Sequence, residues 1–110
     1  MKYLIHYYND DVKADLFALP ATMKARYISL SHRMVNHGPN LGEPHTKALG
    51  DGLFELRLKA AEGIARVFYC TRVGRRIVIL HSFVKKTDKT PIKERRLAER
   101  RLKEINNANA

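Results

Sequence analysis

A chain of 110 residues, 45% hydrophobic and 29% charged, has the make-up of one ordinary globular domain rather than a disordered or fibrous polymer. Twenty-one Lys and Arg against eleven Asp and Glu leave a net charge of +10, an excess that opposes folding by self-repulsion unless a polyanion or an acidic partner relieves it. A single cysteine, Cys70, excludes an intramolecular disulfide, and the lack of a Cys/His cluster at zinc spacing removes a structural metal; no cofactor is expected.

Residues 3–8, Tyr-Leu-Ile-His-Tyr-Tyr, are β-prone and run into Asn9-Asp10-Asp11, residues suited to a helix N-cap, so a strand feeding a helix is expected. This opening is too short for a signal peptide or a bilayer span, and with the lone thiol it points to a cytoplasmic protein without a membrane partner. Val12, Leu16 and Leu19 recur at i, i+4 and i+7 on one face of a short helix that Pro20 stops. Met23, Tyr27, Leu30 and Met34 continue the stripe on a second helix, closed by Asn36-His37-Gly38-Pro39. The two form an αα-hairpin with one apolar side. From Gly38 to Gly52 four glycines and two prolines without a period read as an extended connection.

Leu53 to Leu58, Ile64 to Thr71 and Arg76 to Val84 are β-prone runs separated by short turns, the pattern of a three-stranded antiparallel meander. Ile77-Val78-Ile79-Leu80 shows no alternation, as expected of a central strand covered on both faces. Thr90 as cap and Pro91 at the first helical position open a last helix with the stripe Leu97, Ala98, Leu102 and Ile105, and residues 106–110 should fray. The order βααβββα gives an α+β fold, one domain over residues 1–110, with one sheet carrying helices largely on one face.

Between Val84 and Ile105 nine basic residues stand against four acidic ones, leaving +5, half of the whole excess. Lys85, Lys86 and Lys89 sit between the central strand and the last helix, where several cations can converge on one phosphate. The basic residues from Arg95 to Lys103 read equally as an RNA contact or as a solvated helix face laced with i, i+4 pairs.

The strings Lys47-Ala48-Leu49, Gly52-Leu53-Phe54-Glu55-Leu56-Arg57, Ala65-Arg66-Val67-Phe68-Tyr69, Leu80-His81-Ser82-Phe83-Val84-Lys85-Lys86-Thr87 and Thr90-Pro91 together resemble the phage-derived HigB-like branch of the RelE toxin superfamily. The resemblance covers most of residues 47–100, while the N-terminal strand and helical hairpin carry no diagnostic motif. It implies the toxin of a type II toxin–antitoxin system, a RelE-like sheet backed by helices, and a metal-independent endoribonuclease that cleaves mRNA on the ribosome and so inhibits translation. It also implies a cognate antitoxin, typically a helix-turn-helix, HigA-like protein, with operator DNA met only through that antitoxin. By resemblance, Arg57 and Arg66 are phosphate-contacting arginines, and Lys85, Lys86 and Lys89 form the basic group facing the scissile linkage; Lys47 and Lys93 are further candidates for the RNA contact.

Such cleavage uses the 2′-hydroxyl as nucleophile, so the protein must align the attack, stabilise charge on the non-bridging oxygens and protonate the leaving oxygen. A guanidinium fork suits the phosphate, which makes Arg66 the first choice, with Arg57 beside it. Crowding would depress the lysine pKa values toward a role in proton transfer, although each lysine reads equally well as a phosphate or antitoxin contact. His81 has a fitting unperturbed pKa but lies in an apolar strand, where a hydrogen-bonded core histidine is commoner. His45 lies on a loop within reach of RNA. Glu55 shares the strand phase of Arg57 and reads as its ion-pair partner, and Tyr69, opposite in phase to Arg66, reads as core. Some RelE-type enzymes use a tyrosine near the chain end; the last tyrosine here is Tyr69. The competing readings are a noncatalytic basic RNA- or antitoxin-binding module and, without a helix-turn-helix signature to favour it, a DNA-binding regulator.

Overall fold

The computed structural model describes residues 2–86 and 89–108. Thr87 and Asp88, part of the recognised string and of the charge count, and the last two residues of the tail lie outside the described residues. Along the chain run β1 (Leu4–Tyr7), α1 (Asp10–Phe17), α2 (Ala21–His37), β2 (Thr46–Gly50), β3 (Leu53–Ala60), β4 (Gly63–Arg72), β5 (Arg76–Lys85) and α3 (Ile92–Ala108).

Local signals account for the helix boundaries. The Asn9 side chain accepts from the Val12 N–H at 2.8 Å, capping α1 through one of the donors the helix cannot satisfy itself. Val12 and Leu16 of α1 and Met23, Tyr27, Leu30 and Met34 of α2 are buried, which is the expected stripe in full, with Leu19 packed beside it. Gly38 takes φ 104° directly after α2, a conformation that favours glycine. The edge-on contact of Phe17 with Tyr27, centroids 5.9 Å apart, joins the two helices.

The fold is α+β, with a five-stranded mixed sheet in the order β1-β5-β4-β3-β2. β1 lies parallel to β5, and β2 to β5 form an antiparallel meander of four strands rather than three. The extra strand, β2, falls inside what the sequence reads as an extended connection. Its turn is Asp51-Gly52, at φ 55° and 84°, the left-handed pair that a two-residue hairpin turn requires.

Helices cover both faces, which corrects the expectation that they lie largely on one. On one side α1 and α2 pack over Leu56, Leu58, Val67, Tyr69, Ile77 and Ile79. On the other, Ala98 and Leu102 of α3 pack over Leu53, Phe68, Cys70, Val78 and Leu80. The unalternating run Ile77 to Leu80 is thus divided residue by residue between two cores, as a central strand requires. Three further details differ from the sequence reading. α3 continues through Asn106 to Ala108 instead of fraying from residue 106. It also begins at Ile92, with the Pro91 carbonyl accepting from Glu94 and Arg95. Thr90 turns its hydroxyl toward Glu55, at 3.5 Å. No helix among the described residues is long and apolar enough to cross a membrane.

Candidate nucleic-acid interface

Strand register places the charged residues of the sheet in rows on the α3 side. Lys47 of β2, Glu55 of β3, Phe68 of β4 and His81 of β5 are successive partners across four strands. The next row is Arg57, Arg66 and Phe83, and the one after it Lys59, Ile64 and Lys85. All face the side of α3 because the pleat puts alternate residues on one face. α3 covers the sheet beyond the first row and leaves the other two open to one end.

Arg57 and Arg66 therefore stand side by side. Arg57 spends its own N–H on the His45 carbonyl at 2.9 Å, so it meets Arg66 as a non-hydrogen-bonded pair, the kind in which side chains approach most closely. Two guanidinium groups so placed repel each other, and each is offset by a carboxylate. Arg66 Nη1 donates to Glu55 Oε1 at 2.5 Å, with only 10% and 6% of the two side chains exposed. Arg57 has a looser partner, the exposed Glu43, at 3.7 Å. This corrects the assignment of Glu55 to Arg57. What stays unsatisfied is informative: Arg57 Nε and Arg66 Nε are buried and have no hydrogen-bond partner among the described residues. Two adjacent guanidinium groups with donors that no described residue meets concentrate positive charge at one place on the sheet, where an anion is favoured.

The first row is tied to the start of α3. His81 Nε2 lies 2.6 Å from Glu94 Oε2, and its ring stacks on Phe83 with centroids 6.0 Å apart. A carboxylate on one ring nitrogen fixes the orientation of an imidazole, the arrangement in which a histidine moves a proton at its other nitrogen. His81 is thus half-buried at the rim of the core. Glu94 was not among the residues the sequence singled out; its place in the first turn of a helix following a basic segment offered only a helix-dipole reason for an acid.

Of the remaining expected residues, Lys85 ends the third row and is half-buried, Lys86 leaves the strand exposed, and Lys89 is exposed just before α3. Lys47 is exposed opposite Glu55. Lys93 is exposed and lies two and a half turns before the buried Leu102, on the opposite side of the helix. Tyr69 is core as expected, stacked on Phe54 and donating to the Pro39 carbonyl at 2.5 Å, and burial pushes its phenol well above the usual range. Two other α3 cations make structural contacts: Arg95 reaches the Leu49 carbonyl at 3.2 Å and Arg101 the Leu80 carbonyl at 2.7 Å.

A cavity of about 300 Å³ opens beside the arginine pair. Arg26 of α2, His45, Lys59 and Ile64 line it together with Arg57 and Arg66. Arg26 and Lys59 carry no motif of their own, and only the pairing of the strands brings them here.

No match was found among curated proteins. The family model for phage-derived Gp49-like proteins (DUF891) matches residues 14–103. That span contains strands β2 to β5, all of α2, and every residue of the three rows. The chain belongs to the phage-derived Gp49-like family, a toxin-like family of the RelE/HigB type.

Proposed function

We propose that the protein is the toxin of a type II toxin–antitoxin pair and acts as a metal-independent endoribonuclease on mRNA at the ribosome. The observation that carries this reading is the Arg57–Arg66 pair with both Nε donors unpartnered among the described residues. Family membership supports the toxin role and, with it, an antitoxin partner. A helix-turn-helix, HigA-like antitoxin fits best, with operator DNA met through it.

In the reaction the 2′-oxygen attacks the adjacent phosphorus, its proton passes to a base, and the bond to the 5′-oxygen breaks as that oxygen takes up a proton. Arg66 and Arg57 hold the non-bridging oxygens, and Glu55 fixes Arg66 in place from the side away from the phosphate. His81, oriented by Glu94, and the lysines 85, 86 and 89 are the groups of this region able to move protons or to steady the developing charge. Lys47 meets the RNA backbone further along the face.

The test is mapping of mRNA 5′ ends by primer extension in cells after brief induction of the protein, of Arg66→Ala and of Arg57→Ala. Discrete new ends within translated messages are expected, with cleavage rates down by about 10²–10³ in either variant. Arg57→Ala is the safer of the two for folding, since its ion pair is the looser and more exposed one. One observation favours a second reading, a noncatalytic RNA- or antitoxin-binding module: Arg66 already has a buried carboxylate. Growth arrest without new 5′ ends would select that reading.

A further inference from the structure

We infer that the cavity beside the arginine pair is a binding site for a single nucleotide, its phosphate held by Arg57, Arg66 and Lys59 and its nucleoside laid against Ile64 and Pro44. The inference deepens the ribonuclease reading and takes from it only that the anion belongs to RNA.

The walls have an uncommon composition. Four cationic side chains, Arg26, Arg57, Lys59 and Arg66, line the cavity, and no carboxylate is among its lining residues. The carboxylates that touch two of these arginines, Glu43 and Glu55, lie outside it. Between the cations lies apolar surface. Ile64 sits in the third row between Lys59 and Lys85, half-buried yet a member of neither hydrophobic core. An aliphatic side chain at the open end of a charged sheet face, unclaimed by packing, is a surface on which a base or ribose can rest.

The backbone explains why the cavity exists. β2 begins at Thr46, opposite Leu56, and His45 closes the edge of β3 only as far as Arg57. Beyond that point β3 runs on to Ala60 with no strand outside it among the described residues. Arg26 reaches around this bare edge toward the Lys59 carbonyl, at 3.5 Å, and so walls the space from the α2 side. Its volume of about 300 Å³ stands at the lower end of small-ligand sites, right for one nucleotide and too small for a stacked pair.

The experiment titrates the nitrogen-15-labelled full chain with the four nucleoside monophosphates, the four nucleosides and inorganic phosphate, following amide shifts by NMR. Monophosphates should bind about tenfold tighter than either nucleosides or inorganic phosphate, since only they use both the cations and the apolar wall. Shifts should centre on residues 26, 45, 57–59 and 64–66. Lys59→Ala should weaken monophosphates and phosphate alike by roughly tenfold, while Ile64→Ala should erase the preference for nucleotide over phosphate and leave phosphate binding intact. Inorganic phosphate binding as tightly as the nucleotides overturns the inference, as does binding indifferent to both substitutions, or no binding at all. Cleavage in cells with no nucleotide bound in this cavity would sink the inference and spare the ribonuclease reading. Nucleotide binding without cleavage would do the reverse.

Discussion

Glu55→Gln asks whether Arg66 is held as a charge or merely as a shape. Arg66 Nη1 and Glu55 Oε1 are 2.5 Å apart with the two side chains 10% and 6% exposed, so the guanidinium has little water to fall back on. Deleting one partner of such a pair typically costs about 3–5 kcal/mol, because the other charge is left buried and uncompensated. Glutamine keeps the outline and one oxygen acceptor, which brings the expected loss down to about 2–3 kcal/mol. In a chain of this size each kcal/mol moves the unfolding temperature by about 4–8 °C, so Tm should fall by some 10–20 °C.

Thermal unfolding followed by circular dichroism at neutral pH measures this directly. Two companion measurements sharpen it. Inorganic phosphate should recover part of the lost Tm in Glu55→Gln and add less to the unaltered protein, because the freed guanidinium has gained an anion to bind. The double variant Glu55→Gln, Arg66→Met should be less destabilised than the sum of its single changes by at least about 1 kcal/mol, the signature of direct coupling. A loss below about 0.5 kcal/mol, with additive single changes, would show that the pair does not anchor Arg66 and would refute the role given to Glu55.

Arg101→Ala should cost about 1–3 kcal/mol in urea unfolding, since it strips the guanidinium donor from the Leu80 carbonyl and removes the cation lying 4.8 Å over the Tyr8 ring. Asn9→Ala should cost about 1 kcal/mol by loss of the α1 cap, read by the same assay, with the sheet core unchanged. Burial pushes the Cys70 thiol up from 9.0 to about 11, against the opposing pull of Arg72. The unfolded chain therefore loses this proton first as pH rises, so the stability it contributes is full below 9.0 and is lost on the way up to about 11. Unfolding free energy should drop by about 2–3 kcal/mol across that window, and Cys70→Ala should flatten the drop; an equally steep fall in the variant would assign it to the buried phenols Tyr27 and Tyr69, whose pKa values are also raised.

The helices were legible because their information is local: every residue of the stripes Val12–Leu16 and Met23–Met34 is where periodicity puts it. The central place of β5 was legible for a related reason, as a run apolar at every position has nowhere else to go. β2 was missed because Thr46 to Gly50 is short, exposed at three of five positions, and outweighed by the glycines around it, although Asp51-Gly52 before an apolar run was a hairpin signal in plain view. Arg57 and Arg66 could be named one at a time. That they are cross-strand partners, that Glu55 serves Arg66, and that Arg26 and Glu94 belong to the region are consequences of register and helix docking, which no single segment encodes.

Register itself turns on one residue. Tyr69 pairs with Ile79 and Phe68 with His81, so Leu80 is an extra residue in β5, a bulge. Without it, Arg66 would face Ser82 and the alternation would turn His81, Phe83 and Lys85 toward α1 and α2, away from the arginines. With it, the part of β5 up to Leu80 keeps the phase needed to split four aliphatic residues between two cores, and the part after Leu80 takes the phase that aims a histidine and a lysine at the open face. Arg101 of α3 takes the Leu80 carbonyl, and Glu94, two turns earlier on the same helix, takes His81 just past it. One helix therefore clamps the bulge on both sides. The same α3 that seals the second core also sets the direction of the residues that would meet RNA, and that is why the basic face and the core of this small protein cannot vary independently.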